Sequence, residues 1–294
     1  MPSAMILLVG EQPAPNLLPT RRLKPDMAVL VLTDRTQRVA ENLATLLKHV
    51  CHCLPCPVDP YEIPKIHDEL ENFLSNNLSE YAFTFNLTGG TKPMVLAAFC
   101  LAKMYSSPFV YFQTEGNRSL LYHYAFDGDK IILEGSDDLS ETISLDDYLR
   151  LHLGDYETEA PRNAFEQQVL ETLAATPGIA EVFTSVRPKN LGALEVDFAV
   201  RCGNQVGIGE VKSKGAKAGI DQINAVADPR YLGTYVHKFL VSAHPVHPNN
   251  LDLAEAYRIA VIELSSYGET GTLDPADGEK LGQTVVRRLG GGKD

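Results

Sequence analysis

The chain has 294 residues. Cores tend to split once a chain passes roughly 250 residues, so two domains are expected. With 44% hydrophobic and 22% charged residues, the composition excludes a disordered chain, a collagen and an integral membrane protein. The net charge of -12 is shared as 12 Lys+Arg against 19 Asp+Glu in residues 1–150 and 14 against 19 in residues 151–294, which excludes a basic module that coats nucleic acid.

Met5–Val9 reads as a short buried strand, followed by a Pro-rich loop from Gly10 to Lys24. Met27–Leu32 is a second apolar strand, and Thr36–Val50 a helix with Val39, Leu43, Leu46 and Leu47 at helical spacing. Cys51–Val58 is a third, buried strand, Tyr61–Leu74 a helix, and Tyr81–Phe85 a fourth strand. A helix over Pro93–Tyr105 follows, then strands at Phe109–Gln113, Leu120–Phe126 and Lys130–Glu134. Continuous apolar strands between amphipathic helices imply a parallel sheet covered on both faces, with an antiparallel edge. Residues 153–162 read as a polar linker between a domain over 1–152 and one over 163–294. Beyond it come a helix (Asn163–Ala175), strands at Val182–Pro188, Glu195–Arg201 and Gln205–Lys212, and a helix from Asp221. A strand at Phe239–Ser242, a helix at Leu251–Tyr257 and a strand at Ala260–Leu264 complete the domain. The tail Gly268–Asp294 is expected to fray, apart from Leu281–Leu289.

The opening MPSAMILLVG has neither a basic region nor a small-residue cleavage site, so no signal peptide is expected. No apolar run reaches the roughly 20 residues that span a bilayer. Five cysteines argue against a disulfide framework and for a reducing cytoplasm. The cluster KHVCHCLPCP lacks a second CxxC knuckle and reads as a strand, not a zinc site.

The segment Asn86-Leu87-Thr88-Gly89-Gly90-Thr91-Lys92-Pro93-Met94 sits where a strand hands over to a helix. Two glycines let the backbone approach a ligand, successive N–H groups form an anion nest, and Thr88, Thr91 and Lys92 add donors. A phosphate group is the expected ligand, although GxxxxGK[ST] is absent. Together with LLVGEQPAPNLLP and the Thr33-x-x-Thr36 pair, this segment resembles CARF domains, the Rossmann-like sensors of type III CRISPR ancillary proteins. The resemblance implies binding of a cyclic oligoadenylate, most often the tetra-adenylate, across a two-fold homodimer. It places Thr88, Gly89, Gly90, Thr91, Lys92 and Met94 on the ligand, Gly10, Glu11, Gln12 and Asn16 on the other wall, and Thr33 and Thr36 nearby.

In the second half, Asp197 lies in the apolar strand LEVDFAV, and Glu210-Val211-Lys212 follows within GIGEVKSK. A hairpin through Cys202-Gly203-Asn204 brings Asp197 beside Glu210, with Lys212 on the same face. Two converging carboxylates suit Mg²⁺ or Mn²⁺, with waters and the backbone carbonyl of Val211 completing the shell. Glu166, on the preceding helix, is placed to join the acidic cluster directly or through a metal-bound water. This pattern resembles the PD-(D/E)xK restriction-endonuclease-like fold over about residues 160–265, with Val196 where that motif has Pro. The resemblance assigns catalysis to Glu166, Asp197, Glu210 and Lys212, and support to Gln222. Glu195 either adds a ligand or flanks the site. Lys214 and Lys217, with Arg187 and Lys189, are the expected local basic patch for nucleic acid.

The expectation is therefore an α/β protein: a Rossmann-like CARF domain joined to a restriction-endonuclease-like domain. Its activity would be a cyclic-oligoadenylate-activated, metal-dependent endonuclease acting on DNA or RNA. A ligand-sensing DNA-binding regulator and a ring nuclease that degrades the activator are the alternatives.

Overall fold

Strand-to-helix alternation over the first hundred residues leaves parallel pairing as the natural outcome, because each helix returns the chain to the end of the sheet where it began. The computed structural model describes residues 1–115, 118–140, 142–189, 194–227, 229–233 and 236–290. It divides into two units, Met1–Thr142 and Ile143–Asp294.

The first unit runs β1 (Ser3–Leu8), α1 (Ala14–Leu23), β2 (Met27–Leu32), α2 (Gln37–Leu47), β3 (His52–Pro57), α3 (Ile63–Leu78), β4 (Ala82–Asn86) and α4 (Lys92–Met104). It closes with β5 (Phe109–Glu115), β6 (Arg118–Asp127) and β7 (Lys130–Asp138). The sheet order is β3-β2-β1-β4-β5-β6-β7, parallel through β5 and antiparallel beyond. The chain builds outward from β1 in one direction, then resumes on its other side with β4. A crevice opens at that reversal, beyond the carboxyl ends of β1 and β4. One core cluster joins Ile6, Leu8, Val29 and Phe85 of the sheet to Ile66, Leu70 and Leu74 of α3 and Ala97, Ala98 and Leu101 of α4.

Two expectations change here. The Pro-rich loop is mostly a helix, α1. Pro15 sits in its first turn, where a missing N–H costs nothing. Pro19 lies inside the helix and has no N–H for the Pro15 carbonyl, but Asn86 Nδ2 donates to that oxygen instead, at 2.8 Å. The third strand, β3, is an edge strand and largely exposed, with Cys56 its buried residue. An edge tolerates Pro55 and Pro57, which a central strand would not.

The second unit runs α5 (Leu145–Leu153), β8 (Tyr156–Thr158), α6 (Ala164–Ala175), β9 (Glu181–Pro188), β10 (Val196–Cys202), β11 (Gln205–Lys212), α7 (Ala216–Val226) and α8 (Pro229–Leu232). It continues with β12 (His237–Ser242), α9 (Pro248–Ala256), β13 (Ile259–Glu263), α10 (Ser265–Thr270) and α11 (Pro275–Arg288). The sheet order is β13-β12-β11-β10-β9-β8; β11 to β13 are parallel and β11 to β8 antiparallel. One face packs Phe198, Phe239 and Val241 against Phe165 and Leu173 of α6 and Leu281 and Val285 of α11. The other packs Leu240 and Ile259 against Ile220 and Ile223 of α7 and Ala254 of α9.

Helix α5 starts on a Ser144–Asp147 capping box and buries Leu145, Tyr148 and Leu149. Tyr148 donates to the Leu232 carbonyl at 2.7 Å, so this helix belongs with the second unit. The division therefore falls after Thr142, ahead of the expected linker at 153–162, and that segment contains β8, paired to β9. The expected frayed tail is likewise ordered through α11. Asp274 caps this helix, and its buried Leu281 and Val285 seal the α6 face of the sheet.

Candidate functional site

The crevice of the first unit is a cavity of about 640 Å³. Its lining includes Gly10, Glu11, Thr33, Thr36, Gly90, Thr91 and Met94 from the sequence-derived set. Glycine is required at the loop after β4: a Cβ on Gly89 would lie 1.9 Å from the Leu8 carbonyl oxygen, and Gly90 has φ +72°. Thr91 caps α4 by accepting from Met94 N at 3.3 Å, and its hydroxyl donates to the Pro60 carbonyl at 2.8 Å.

Asn16 does not form a ligand wall. It is fully buried; its amide donates to the Leu8 carbonyl at 2.9 Å, and its Oδ1 accepts from Asn86 at 3.0 Å. Thr88 spends its hydroxyl on Asn86 Oδ1 (2.7 Å) and on accepting from Phe112 N (2.7 Å). Both residues brace the crevice from behind. Gln12, Gly89 and Lys92 do not line the cavity; the Gln12 Nε2 is buried without a partner, and Lys92 is exposed.

Sequence reasoning missed the wall that follows β3: Asp59, Pro60, Tyr61 and Lys65. The Asp59 carboxylate accepts from the backbone N–H of Glu62 and Tyr61 and pairs with Lys65 at 3.1 Å. Those backbone hydrogen bonds, with Lys65 adding to them, hold its pKa down at about 2. Arg35 also lines the cavity and pairs with Glu11.

In the second unit the antiparallel register runs through Phe198↔Gly209, so the next rung sets Asp197 opposite Glu210. Both carboxylates are buried. Lys212 Nζ lies 2.5 Å from Glu210 Oε2 and 3.6 Å from Asp197 Oδ2, bridging the pair. Val211 N donates to Asp197 Oδ2 at 2.7 Å, whereas Glu210 Oε1 is buried with no partner. Burial, with Asp197 facing it, pushes the Glu210 carboxyl up to about 8. Burial pulls on Lys212 in the opposite sense, but its pairing with Glu210 and Asp197 outweighs this and raises its pKa.

Glu166 holds a different post. Its Oε2 accepts from Arg162 N at 2.8 Å and its Oε1 from Asn163 Nδ2 at 2.6 Å, while Asn163 caps α6. Its carboxylate shapes the start of that helix. Among the described residues no group of three or more His, Cys, Asp and Glu side chains converges as a metal cage. The side-chain donors that a divalent cation would meet here are Asp197 and the unpartnered Glu210 Oε1, hard oxygens of the kind that suit Mg²⁺ or Mn²⁺.

Glu195 pairs with Arg162, a residue the sequence reading passed over within the polar segment, and its carbonyl accepts from Gln222 at 3.2 Å. The expected basic patch is partly spent: Arg187 pairs with Glu159, and Lys189 lies 3.8 Å from Glu157. Lys214 and Lys217 are exposed and, among the described residues, carry no ion pair.

An open sheet with a glycine-lined crevice at its reversal point defines the first unit as a Rossmann-like nucleotide-binding module. Residues 4–148 match the Card1 CARF domain family, and the chain is a CARF-domain protein. A solved structure of Can2 from Sulfobacillus thermosulfidooxidans in complex with cyclic tetra-adenylate aligns with a TM-score of 0.73 and 14% identity, over 98% of this chain and 99% of that one. Protein VC1899 from Vibrio cholerae aligns with a TM-score of 0.73 and 14% identity, over 99% of each chain. A type III CRISPR defence DNA nuclease activated by cyclic oligoadenylate aligns with a TM-score of 0.54 and 15% identity, over 94% of this chain and 44% of that one. At these identities the likeness is one of fold. No curated protein matches the chain. Among the described residues no helix is long and apolar enough to cross a membrane.

Proposed function

We propose that this protein is a cyclic-oligoadenylate-activated, metal-dependent endonuclease of type III CRISPR antiviral defence, working as a homodimer. The observation that carries the reading is the Asp197–Glu210–Lys212 arrangement on a β-hairpin, in a chain that also holds a CARF crevice. The Can2 complex with cyclic tetra-adenylate supports the choice of ligand, and the cyclic-oligoadenylate-activated DNA nuclease supports the pairing of sensor and cutter.

In the first unit, Gly90 at the start of α4 offers its backbone N–H to the ligand phosphates, and Lys92 adds charge at the rim. A cyclic tetranucleotide presents two like halves, so a second copy supplies the matching wall. In the second unit, Asp197 and Glu210 would hold the cation, with the Val211 carbonyl as a backbone ligand. Mg²⁺ or Mn²⁺ bound there would make water more acidic and offset charge on the phosphate. Lys212, fixed between the carboxylates, orients the attacking water and stabilises the negative charge that builds on the phosphoryl oxygens. Gln222 holds the Glu195 backbone ahead of Asp197. Ligand binding favours the arrangement that admits substrate, a shift in population.

The deciding experiment incubates the protein with a panel of cyclic oligoadenylates, Mg²⁺ or Mn²⁺, and DNA and RNA substrates. Cutting that needs both ligand and metal and is lost in Asp197→Ala supports the reading. Undiminished cutting by Asp197→Ala refutes the catalytic site. Loss of labelled activator with every substrate intact would assign a ring nuclease instead. Ligand-dependent DNA binding without cutting would assign a regulator.

A further inference from the structure

A large cavity of the second unit lies at the opposite end of its sheet from the carboxylates. It is a groove of about 1110 Å³ at the starting ends of β11, β12 and β13, bordered by the last turns of α7, α9 and α11. Gln205 lines it, and Glu210 lies five residues further along β11, about 17 Å away at the rise of a strand. Five basic residues line this groove, His237 with Arg287 and Arg288 toward the α11 face of the sheet and Lys238 with Arg258 toward the α9 face, against one carboxylate, Glu255. Among the described residues Lys238, Arg258, Arg287 and Arg288 carry no ion pair.

Helix ends attract cations, which accounts for Arg287 and Arg288 in the last turn of α11. It does not account for His237 and Lys238, which open β12. Burial lowers the pKa of Lys238, and Arg258 lowers it further; burial and Arg288 do the same to His237. Arg258 is also held at φ +57°, a conformation unfavourable for its side chain. Four cations without an ion pair among the described residues, against one carboxylate, make the groove a local positive patch in a protein of net charge -12. Among the described residues no Phe or Tyr lines the groove, and the groups it presents are suited to phosphate. Its volume also exceeds the roughly 300–1000 Å³ of a small-ligand pocket.

We propose that this groove, through Lys238, Arg258, Arg287 and Arg288, holds the phosphate backbone of a nucleic acid away from the point of cleavage. The choice of nucleic acid as the polyanion rests on the nuclease reading. The groove anchors substrate independently of sequence, and the acidic surface elsewhere repels it.

The test measures fluorescence anisotropy of a labelled duplex in chelator, so that no cutting is needed, across a series of salt concentrations. For Arg287→Ala with Arg288→Ala, losing two phosphate contacts makes the slope of log affinity against log salt shallower by about 1.8 and weakens binding about thirty-fold at 0.15 M salt. Arg258→Gly suits φ +57° and guards against a folding defect; it makes the slope shallower by about 0.9. Slopes and affinities unchanged in both variants overturn the proposal. Tripolyphosphate binding that needs these arginines, with duplex affinity unchanged, also overturns it and assigns the groove to a free phosphate compound. The nuclease reading fails separately, through undiminished cutting by Asp197→Ala.

Discussion

Glu210 links the electrostatics of the candidate site to a measurable stability. Its carboxyl titrates at about 8 in the folded protein against an ordinary 4.5. Between those values the folded state keeps a proton that the unfolded state has lost. Stability from this group is therefore fully present below pH 4.5 and is lost as pH rises to about 8. At about 1.4 kcal/mol per pH unit the full span is worth about 5 kcal/mol, of which about 2.5 kcal/mol falls between pH 5.5 and 7.5. For a unit of this size that is a fall of about 5–10 °C in Tm. Lys212, with its raised pKa, stays charged throughout this range. His237, with its lowered pKa, acts in the opposite sense, gaining stability as pH rises from its folded value to its unfolded one. The comparison is therefore wild type against Glu210→Gln, in chelator, by scanning calorimetry. The mutant keeps His237 and loses the Glu210 proton. Relative to it, wild type is expected to lose about 5–10 °C between pH 5.5 and 7.5. Parallel profiles would refute the argument that burial and Asp197 hold the Glu210 proton.

Mn²⁺ uptake at pH 7 should release close to one proton from Glu210, seen by calorimetric titration in buffers of different ionisation enthalpy; uptake without proton release counts against the site. Gly89→Ala drives a methyl into the Leu8 carbonyl, so chemical denaturation should show a loss of about 1–3 kcal/mol, together with lost affinity for cyclic tetra-adenylate. Unchanged affinity would separate that loop from the ligand. Leu281→Ala should cost about 2–5 kcal/mol, because the side chain is buried against the sheet; a Tm within a degree of wild type would mean that α11 contributes little.

The hairpin was legible in the sequence because its geometry is local. Side-chain alternation and a short turn suffice to set Asp197 beside Glu210. The open parallel sheet was legible for the same reason, each apolar strand being followed by a helix. Helix α1 was not, because the donor that replaces Pro19's missing N–H comes from Asn86, on β4. The pocket wall after β3 was hidden in the same way, since the packing of α3 on α4 and the Thr91 bond to the Pro60 carbonyl, not sequence distance, bring Asp59 and Lys65 into one cavity with Gly90. Helix α5 was legible and passed over: Ser144 and Asp147 form its capping box, ahead of buried Leu145, Tyr148 and Leu149. Glu166 is legible as an acidic residue opening the helix before the hairpin, but its bonds to Arg162 N and Asn163 Nδ2 depend on the local turn, which the spacing of carboxylates does not reveal.

On β11, Gly207 and Gly209 sit against the rings of Phe239 and Phe198, and a methyl on either would fall 2.5 or 2.1 Å from an aromatic carbon. The alternate residues, Glu210 and Lys212, turn to the opposite face, where the proposed chemistry would take place. The strand thus divides its labour by parity, and its plain side is as unforgiving as its reactive one. A mutational scan should find 207 and 209 nearly as intolerant as 210, with expression collapsing at the glycines and turnover alone at the glutamate. Redesign of the ion preference has room only among the neighbours that face Glu210, not along the strand that bears it.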